Sequence, residues 1–379
     1  MAVEMSFGQV CARRLERHAL SVPSGGGCAE VAAAVAGVHA QVMAAAELGI
    51  GLRVDGATRA DVRRALWRDR TLVKAHGPRG TVHVLAARDL PMWAGALSAL
   101  PPAPSPHTGE VRMTAEQTEQ VIAAIAAAVD EADLTVGELG EAVVERTGPW
   151  AGERVMPAFQ TLWPRWRQAL GTAGTRGAVC FGPPRGRNVT YSSPRRLIPG
   201  FRPDAASTAL AGLVRRYLHA YGPGTPERFA HWLGVPARWA AELFAAQDLE
   251  RVLVQGAPAW TARGDTAAPP DPPRGVRLLP YFDGYAYRVG NQPPELLYPG
   301  RAGERLRGNF QVLLVDGVAA GLWHQRRSGR RVDVTVEPLV TLDRARRAEL
   351  DEQVERVAHV LEASLASLTI GPVTVGGHA

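Results

Sequence analysis

The sequence predicts an α+β protein. Tandem winged-helix modules, each a helix-turn-helix plus a β-hairpin, precede a β-rich C-terminal part and a C-terminal helix. Three observations predict this. A helix–hairpin pattern recurs three times, Gly/Pro turns separate the apolar strands in each copy, and a Pro-rich break near residue 270 is followed by alternating strands alone.

The first copy reads D-V-R-R-A-L-W-R from Asp61, then T-L-V-K-A, the turn H-G-P-R-G and the returning T-V-H-V-L. The second opens at Thr135 with T-V-G-E-L-G-E-A-V-V-E-R, where a Thr and a Glu three residues on form a capping-box pattern. A second helix is expected over about 159–170, then A-V-C-F, the turn G-P-P-R-G-R and N-V-T-Y. The third runs from Gly222 through P-E-R-F-A-H-W-L, the break G-V, P-A-R-W-A-A-E-L-F, and the hairpin E-R-V-L-V, Q-G-A-P, A-W-T-A.

Segments 100–107 and 267–275 are Pro-rich and read as linkers. The expected domains are 1–105, 106–200 and 201–268, each a winged helix, and a β-rich region over 275–379. In that region Asp316-Gly317 lies between alternating apolar runs, a strong hairpin signal. A second hairpin, H-Q-R-R-S-G-R-R-V-D-V-T-V, is expected to turn at Ser328-Gly329. An amphipathic helix is expected over about 342–368.

With 379 residues, 46% hydrophobic and 21% charged, the chain has globular composition and room for several cores. No 18-residue uncharged apolar run occurs, and the N-terminus lacks a signal-peptide pattern, so a cytoplasmic protein with no membrane partner is expected. Three cysteines, far apart and outside any C-x-x-C spacing, indicate neither a disulfide framework nor a zinc site. Of 43 basic residues only Lys74 is lysine. A GC-rich genome explains most of that arginine bias. The net charge of +6 and a pI near 9.6 weakly favour a polyanionic partner.

Within an alanine-rich run, G-V-H-A-Q-V places His39 and Gln41 two residues apart. On a helix, i and i+2 lie about 200° apart and do not converge. On an extended segment both project to one side, with Val38, Ala40 and Val42 on the buried other side. Gly37 suits the C′ position of a preceding helix. The spacing thus predicts a helix ending near Ala36, an extended V-H-A-Q-V and a new helix from about Met43. The plainer alternative is one continuous helix carrying a hydrogen-bonded core histidine.

Arginines mark the candidate polyanion contacts. Arg79 stands in the P-R-G-T-V-H turn beside Gly80, which permits close backbone approach, and Arg185 and Arg187 stand in the second hairpin turn. Arg326, Arg327, Arg330 and Arg331 flank one tight turn with no acidic residue before Asp333. Each has a plain reading as solvated surface. The chain contains no G-x-x-x-x-G-K-[ST], H-E-x-x-H or G-x-S-x-G motif. Lys74 sits in an apolar strand and is a poor Schiff-base candidate.

Together, the three modules, the early H-A-Q, R-G-T-V-H, L-L-P-Y-F-D-G-Y and the late V-D-G-V-A-A-G-L-W resemble the AlkZ/YcaQ family of winged-helix DNA glycosylases, over nearly the whole chain. The resemblance implies tandem winged helices in a C-shaped arrangement and removal of bulky N7-alkylguanine from double-stranded DNA. Some members also unhook interstrand crosslinks, and some protect antibiotic producers from their own alkylating product. The family's catalytic pair, Gln-x-Gln or Gln-x-Asp, falls here on His39 and Gln41, the H-x-Q variant. Arg53, Thr81, His83 and Asp283 are candidate supports of that site. A nucleoid-associated monomer without metal or cofactor is implied, acting as a monofunctional hydrolase. The alternatives are a non-enzymatic winged-helix regulator, which has no need of His39 and Gln41, and a protein that sequesters adducts without cleaving them.

Overall fold

The β-rich C-terminal part forms a five-stranded sheet. Its strands lie in the order Val276–Leu279, Gln311–Val315, Val318–Ser328, Arg331–Pro338 and Ser364–Ile370. The first four run antiparallel, and the last joins Arg331–Pro338 in parallel. The structure is a computed structural model that describes residues 3–102, 107, 109–158, 161–286, 293–308 and 310–375.

Two units make up the chain: Met1–Ala65 with Val214–Ala379, and Leu66–Leu213. In the first, period-two alternation gives the sheet two apolar faces. Val332, Val334 and Val336 face Leu350, Val354 and Val357 of the helix Arg344–Val360, together with Leu48 and Leu52. Val312, Leu314 and Leu322 belong to a separate core with Leu15 of the helix Phe7–Arg17 and with Tyr285. The Trp323 indole donates to the Leu279 carbonyl at 2.8 Å, which satisfies its buried N–H.

The third repeat lies in the same unit. Its helices Pro226–Leu233 and Ala237–Ala245 meet at Gly234, which caps the first in the left-handed region. The hairpin Leu249–Val254/Ala257–Ala262 follows, and the N-terminal strand Val3–Met5 pairs in parallel with its first strand.

In the second unit, strands Leu72–His76 and Val82–Ala86 are joined by the turn Pro78–Gly80. Helices Ala115–Glu131 and Val136–Thr147 each begin with a capping box, and the box expected at Thr135 and Glu138 is present. Their apolar faces enclose Val121, Ile125, Leu139, Val143 and Trp166. The hairpin Cys180–Arg185/Asn188–Ser192 is joined by Leu134–Thr135.

Several sequence expectations need correction. The helix expected over 159–170 does not form within the described residues, and Phe159 lies outside them. Instead Leu162–Pro164 pairs with Arg154–Pro157, and a short helical segment starts at Arg165. Pro164 disfavours the helical region at Trp163, which accounts for the extended backbone. The helix expected to reach 368 stops at Val360, where Glu362 takes a φ of 53°, and the Thr/Ile-containing tail becomes the fifth strand. The arginine hairpin closes at Ser328 paired with Arg331, so Gly329 and Arg330 form the turn, one residue later than expected. Gly329, at φ 60°, occupies the first central position, where a type II′ turn needs glycine. Residues 103–106 of the linker expected over 100–107 fall outside the described residues, as do Tyr287 and Arg288 of the L-P-Y-F-D-G-Y-A-Y-R run.

Among the described residues no helix is long and apolar enough to cross a membrane. Cys11, Cys28 and Cys180 are free and buried.

Candidate active site

The helix containing Cys28 stops at Ala34, Val38–His39 is a strand, and the next helix is Met43–Gly51. The break expected from the i, i+2 spacing is therefore present, and a continuous helix is not. Its stop signal differs from expectation by one residue. Ala36, at φ 54°, holds the left-handed position, and Gly37 N–H reaches back to the Ala32 carbonyl at 2.9 Å. With the Ala36 N–H to Ala33 carbonyl bond at 3.2 Å, this is a Schellman motif with Gly37 at C″. The Tyr221 hydroxyl donates to the Val35 carbonyl at 2.9 Å and anchors the same turn.

The strand lasts only two residues, and after Ala40 the chain bends at Gln41 and Val42, although Val42 keeps extended dihedrals. His39 is buried, at 7% exposure, whereas Gln41 is exposed and Val38 and Val42 are half-buried. The expected sharing of one side by the two polar residues is not what burial shows.

Beside His39 lies the L-P-Y-F-D-G-Y segment. The Phe282 ring stacks on the imidazole, with centroids 4.8 Å apart and planes tilted by 34°. Phe282 has a φ of 59°, a region that aromatic residues rarely adopt. The next residue is held from several directions. Asp283 accepts two charge-assisted bonds from Arg53, each 2.8 Å, and the Tyr285 N–H at 3.0 Å. Arg53 also donates to the Gly49 carbonyl at 2.9 Å. A Cβ on Gly49 would stand 3.4 Å from the Pro280 ring, so the helix Met43–Gly51 and this segment are in close contact. Arg53 and Asp283, expected as supports of the site, are thus brought together.

Behind this pair lies a second histidine. His18 donates from Nε2 to the Ala220 carbonyl at 2.9 Å and makes edge contacts with Tyr221 and Tyr285. Burial, reinforced by the Arg53 charge, lowers its pKa to about 3, so it is neutral at physiological pH. An acidic side chain missed at the sequence level also lies on the Met43–Gly51 helix. Glu47 is buried and receives two bonds from Arg63, at 2.7 and 2.8 Å. A lone carboxylate inside M-A-A-A-E-L-G-I was the available signal.

The remaining candidates fall in three groups. In the second unit, Arg79 is half-buried at the turn with a φ of 58°, and Gly80 follows with open space around it. Thr81 donates to the Pro78 carbonyl at 3.0 Å, and His83 Nδ1 lies 3.0 Å from the Thr81 carbonyl; both therefore shape the turn itself. Arg185 and Arg187 share one hairpin tip, but Arg185 is engaged by Glu138 and by the Asp133 carbonyl at 3.1 Å. Bonds from the Thr135 backbone and from Arg185 lower the Glu138 pKa to about 2. Arg187 is exposed. In the first unit Arg326, Arg327, Arg330 and Arg331 are all exposed on one hairpin, and none forms an ion pair among the described residues.

Lys74 is half-buried in its strand, its Nζ 5.0 Å from the centre of the Phe181 ring. Among the described residues no group of three or more His, Cys, Asp or Glu side chains is placed to hold a metal ion.

The chain is thus a mixed α+β protein with polar residues at a helix break and an exposed arginine hairpin. Residues 32–360 match the model of the family described as DNA glycosylase AlkZ-like. The chain belongs to that family and is accordingly a DNA glycosylase, a hydrolase of N-glycosyl bonds. It is similar to the interstrand DNA cross-link repair glycosylase of Streptomyces sahachiroi, 29% identical over 342 residues, which span 85% of this chain and 88% of that protein. Its fold is similar to the solved structure of the Streptomyces sahachiroi DNA glycosylase AlkZ, with a TM-score of 0.81 and 24% identity, over 97% of this chain and 100% of that one.

Proposed function

We infer that this glycosylase hydrolyses the N-glycosidic bond of bulky N7-alkylguanine in duplex DNA, with His39 and Gln41 as its catalytic pair, and that it unhooks interstrand crosslinks made through such adducts. The observation that carries this reading is the break at Val38–His39, which places a buried histidine and, two residues on, an exposed glutamine between two helices.

N7-alkylation leaves the guanine cationic, so the C1′–N9 bond is weakened and needs no strong general acid. As it breaks, the base leaves neutral and the sugar gains oxocarbenium character. Water attacks C1′, and its proton must go to a base. The Gln41 amide oxygen accepts a hydrogen bond from that water, and the unprotonated ring nitrogen of the neutral form of His39 would accept the proton. The products are free N7-alkylguanine and an abasic site on an uncut strand. Lys74, held in a strand over Phe181, is poorly placed for the amine chemistry a strand-cutting enzyme uses.

The four-region division and the tandem winged-helix organisation belong to the same reading, supported by the helix–hairpin order in each repeat. Arg79 and Arg187 in one unit, and the four arginines at 326, 327, 330 and 331 in the other, are candidates to neutralise DNA phosphates. An open site avoids flipping a base too bulky for a pocket. The role that follows is protection of a cytoplasmic chromosome from an alkylating natural product, by a monomer without metal or cofactor.

The test is incubation with duplex carrying N7-methylguanine or a larger N7 adduct. Free base and an alkali-labile, uncut strand are expected. Borohydride trapping of a covalent DNA adduct through Lys74, or strand scission without alkali, would contradict the reading.

A further inference from the structure

We propose that Phe282 is a positioning residue for His39: its ring fixes the plane of the imidazole and shields one face of it from water. The inference rests on the reading of His39 as a catalytic group.

Three observations carry it. The first is contact, since the two rings pack with centroids 4.8 Å apart and planes tilted by 34°. The second is backbone strain. Phe282 sits at φ 59°, where a bulky residue is a genuine outlier and glycine would be relaxed. A strained residue persists only where its surroundings over-determine it, and such residues cluster at active sites. The third is that the surroundings do over-determine it. Asp283 is clamped by both Arg53 nitrogens and by the Tyr285 N–H, and the Ala286 N–H binds the Asp283 carbonyl at 3.1 Å. Tyr285 is fixed in turn by its hydroxyl bond to the Gly317 carbonyl at 2.9 Å. The clamp therefore holds the backbone on the C-terminal side of Phe282, and the ring lands on His39.

The geometry explains how a histidine on a two-residue strand, followed at once by a bend, is held in a defined orientation. Val38–His39 is too short to lock a side chain by neighbours on its own strand. A general base must meet its water within hydrogen-bond reach, so a ring free to rotate about χ2 would spend much of its time misdirected. The Phe282 ring, packed at 4.8 Å, restricts that freedom.

The experiment compares the full-length wild type with Phe282→Tyr, Phe282→Leu, Phe282→Met and His39→Ala. It measures single-turnover base release from N7-methylguanine duplex and the ring-proton resonances of histidine. The His39 signal is assigned by its loss in His39→Ala. For Phe282→Leu, the plateau rate should fall roughly 10- to 100-fold while the enzyme concentration giving half-maximal rate stays within about twofold. Phe282→Tyr, which keeps the ring, should retain the rate. The His39 resonance should lie upfield in wild type, through the aromatic ring current, and move downfield in Phe282→Leu. If Phe282→Leu does not fold, Phe282→Met carries the same comparison. A Phe282→Leu enzyme with the wild-type plateau rate, or a His39 signal that does not move, overturns the proposal while leaving the catalytic reading intact. If His39→Ala retains the wild-type rate, the catalytic reading fails and the positioning role falls with it, whatever the resonances show.

Discussion

Arg53 and Asp283 are 230 residues apart in the chain and form a buried two-bond ion pair, each side chain no more than 5% exposed. One stands just past the helix that follows His39 and the other beside the ring that stacks on it. Removing one partner leaves an uncompensated buried charge, so Asp283→Ala or Arg53→Leu should cost about 3–5 kcal/mol. Urea unfolding of each variant measures it. The double variant Arg53→Leu/Asp283→Leu should recover much of the loss, because no lone charge remains.

Gly51 bears on the same region. A Cβ there would stand 2.4 Å from Val360 Cγ1, so the helices Met43–Gly51 and Arg344–Val360 meet with no room for a methyl group. Gly51→Ala should destabilise by about 1–3 kcal/mol despite its better helix propensity. Adding Val360→Ala should restore part of that. Thermal denaturation of the single and double variants checks both signs.

Acid should destabilise the fold through histidines before carboxylates. Burial holds His18 to about 3 and His76 to about 4, both below the ordinary 6.5. The unfolded chain therefore binds the protons. The stability these two contribute is complete above 6.5 and is lost as pH falls toward the folded-state values. The slope is about 1.4 kcal/mol per pH unit for each histidine. The carboxylates with resolved shifts, Asp61, Glu116, Glu138, Asp265 and Glu337, all move down and keep their hydrogen bonds in this window. Urea midpoints at about pH 7.5 and about pH 5 should differ clearly in wild type, and His18→Gln with His76→Gln should narrow the difference.

Exposed arginines and engaged ones should behave differently toward DNA. Each phosphate contact contributes about −0.9 to the slope of log K against log salt. Replacing Arg326, Arg327, Arg330 and Arg331 by Ala should flatten that slope by several such increments. Arg185→Ala should change it little, since Glu138 already holds that guanidinium. Affinity for undamaged duplex across a salt series separates the two cases.

The local features were legible where backbone chemistry is local. The helix break at 37–42 followed from i, i+2 spacing, and the capping box at Thr135 from a Thr and a Glu three apart. The hairpins followed from Gly-containing turns between apolar runs. What the sequence concealed depends on distant contacts. The strand Ser364–Ile370 reads as helix until the edge of Arg331–Pro338 is available to pair with it. The contact of His39 with Phe282, more than 200 residues away in the chain, is announced by no pattern near residue 39. The engagement of Arg185 by Glu138 is equally non-local. A turn arginine in the sequence looks the same whether or not a carboxylate waits across the sheet.

His39 and Gln41 are proposed to perform the hydrolysis. The measurement that tests this most directly is single-turnover release of N7-alkylguanine by wild type, His39→Ala and Gln41→Ala, alongside each variant's affinity for the same duplex. A positioned base or water-holding group contributes about 100-fold or more, so each variant should lose at least that in rate. Affinity should stay within about twofold, because the phosphate contacts proposed above lie on other residues. Wild-type release rates in either variant would contradict the account.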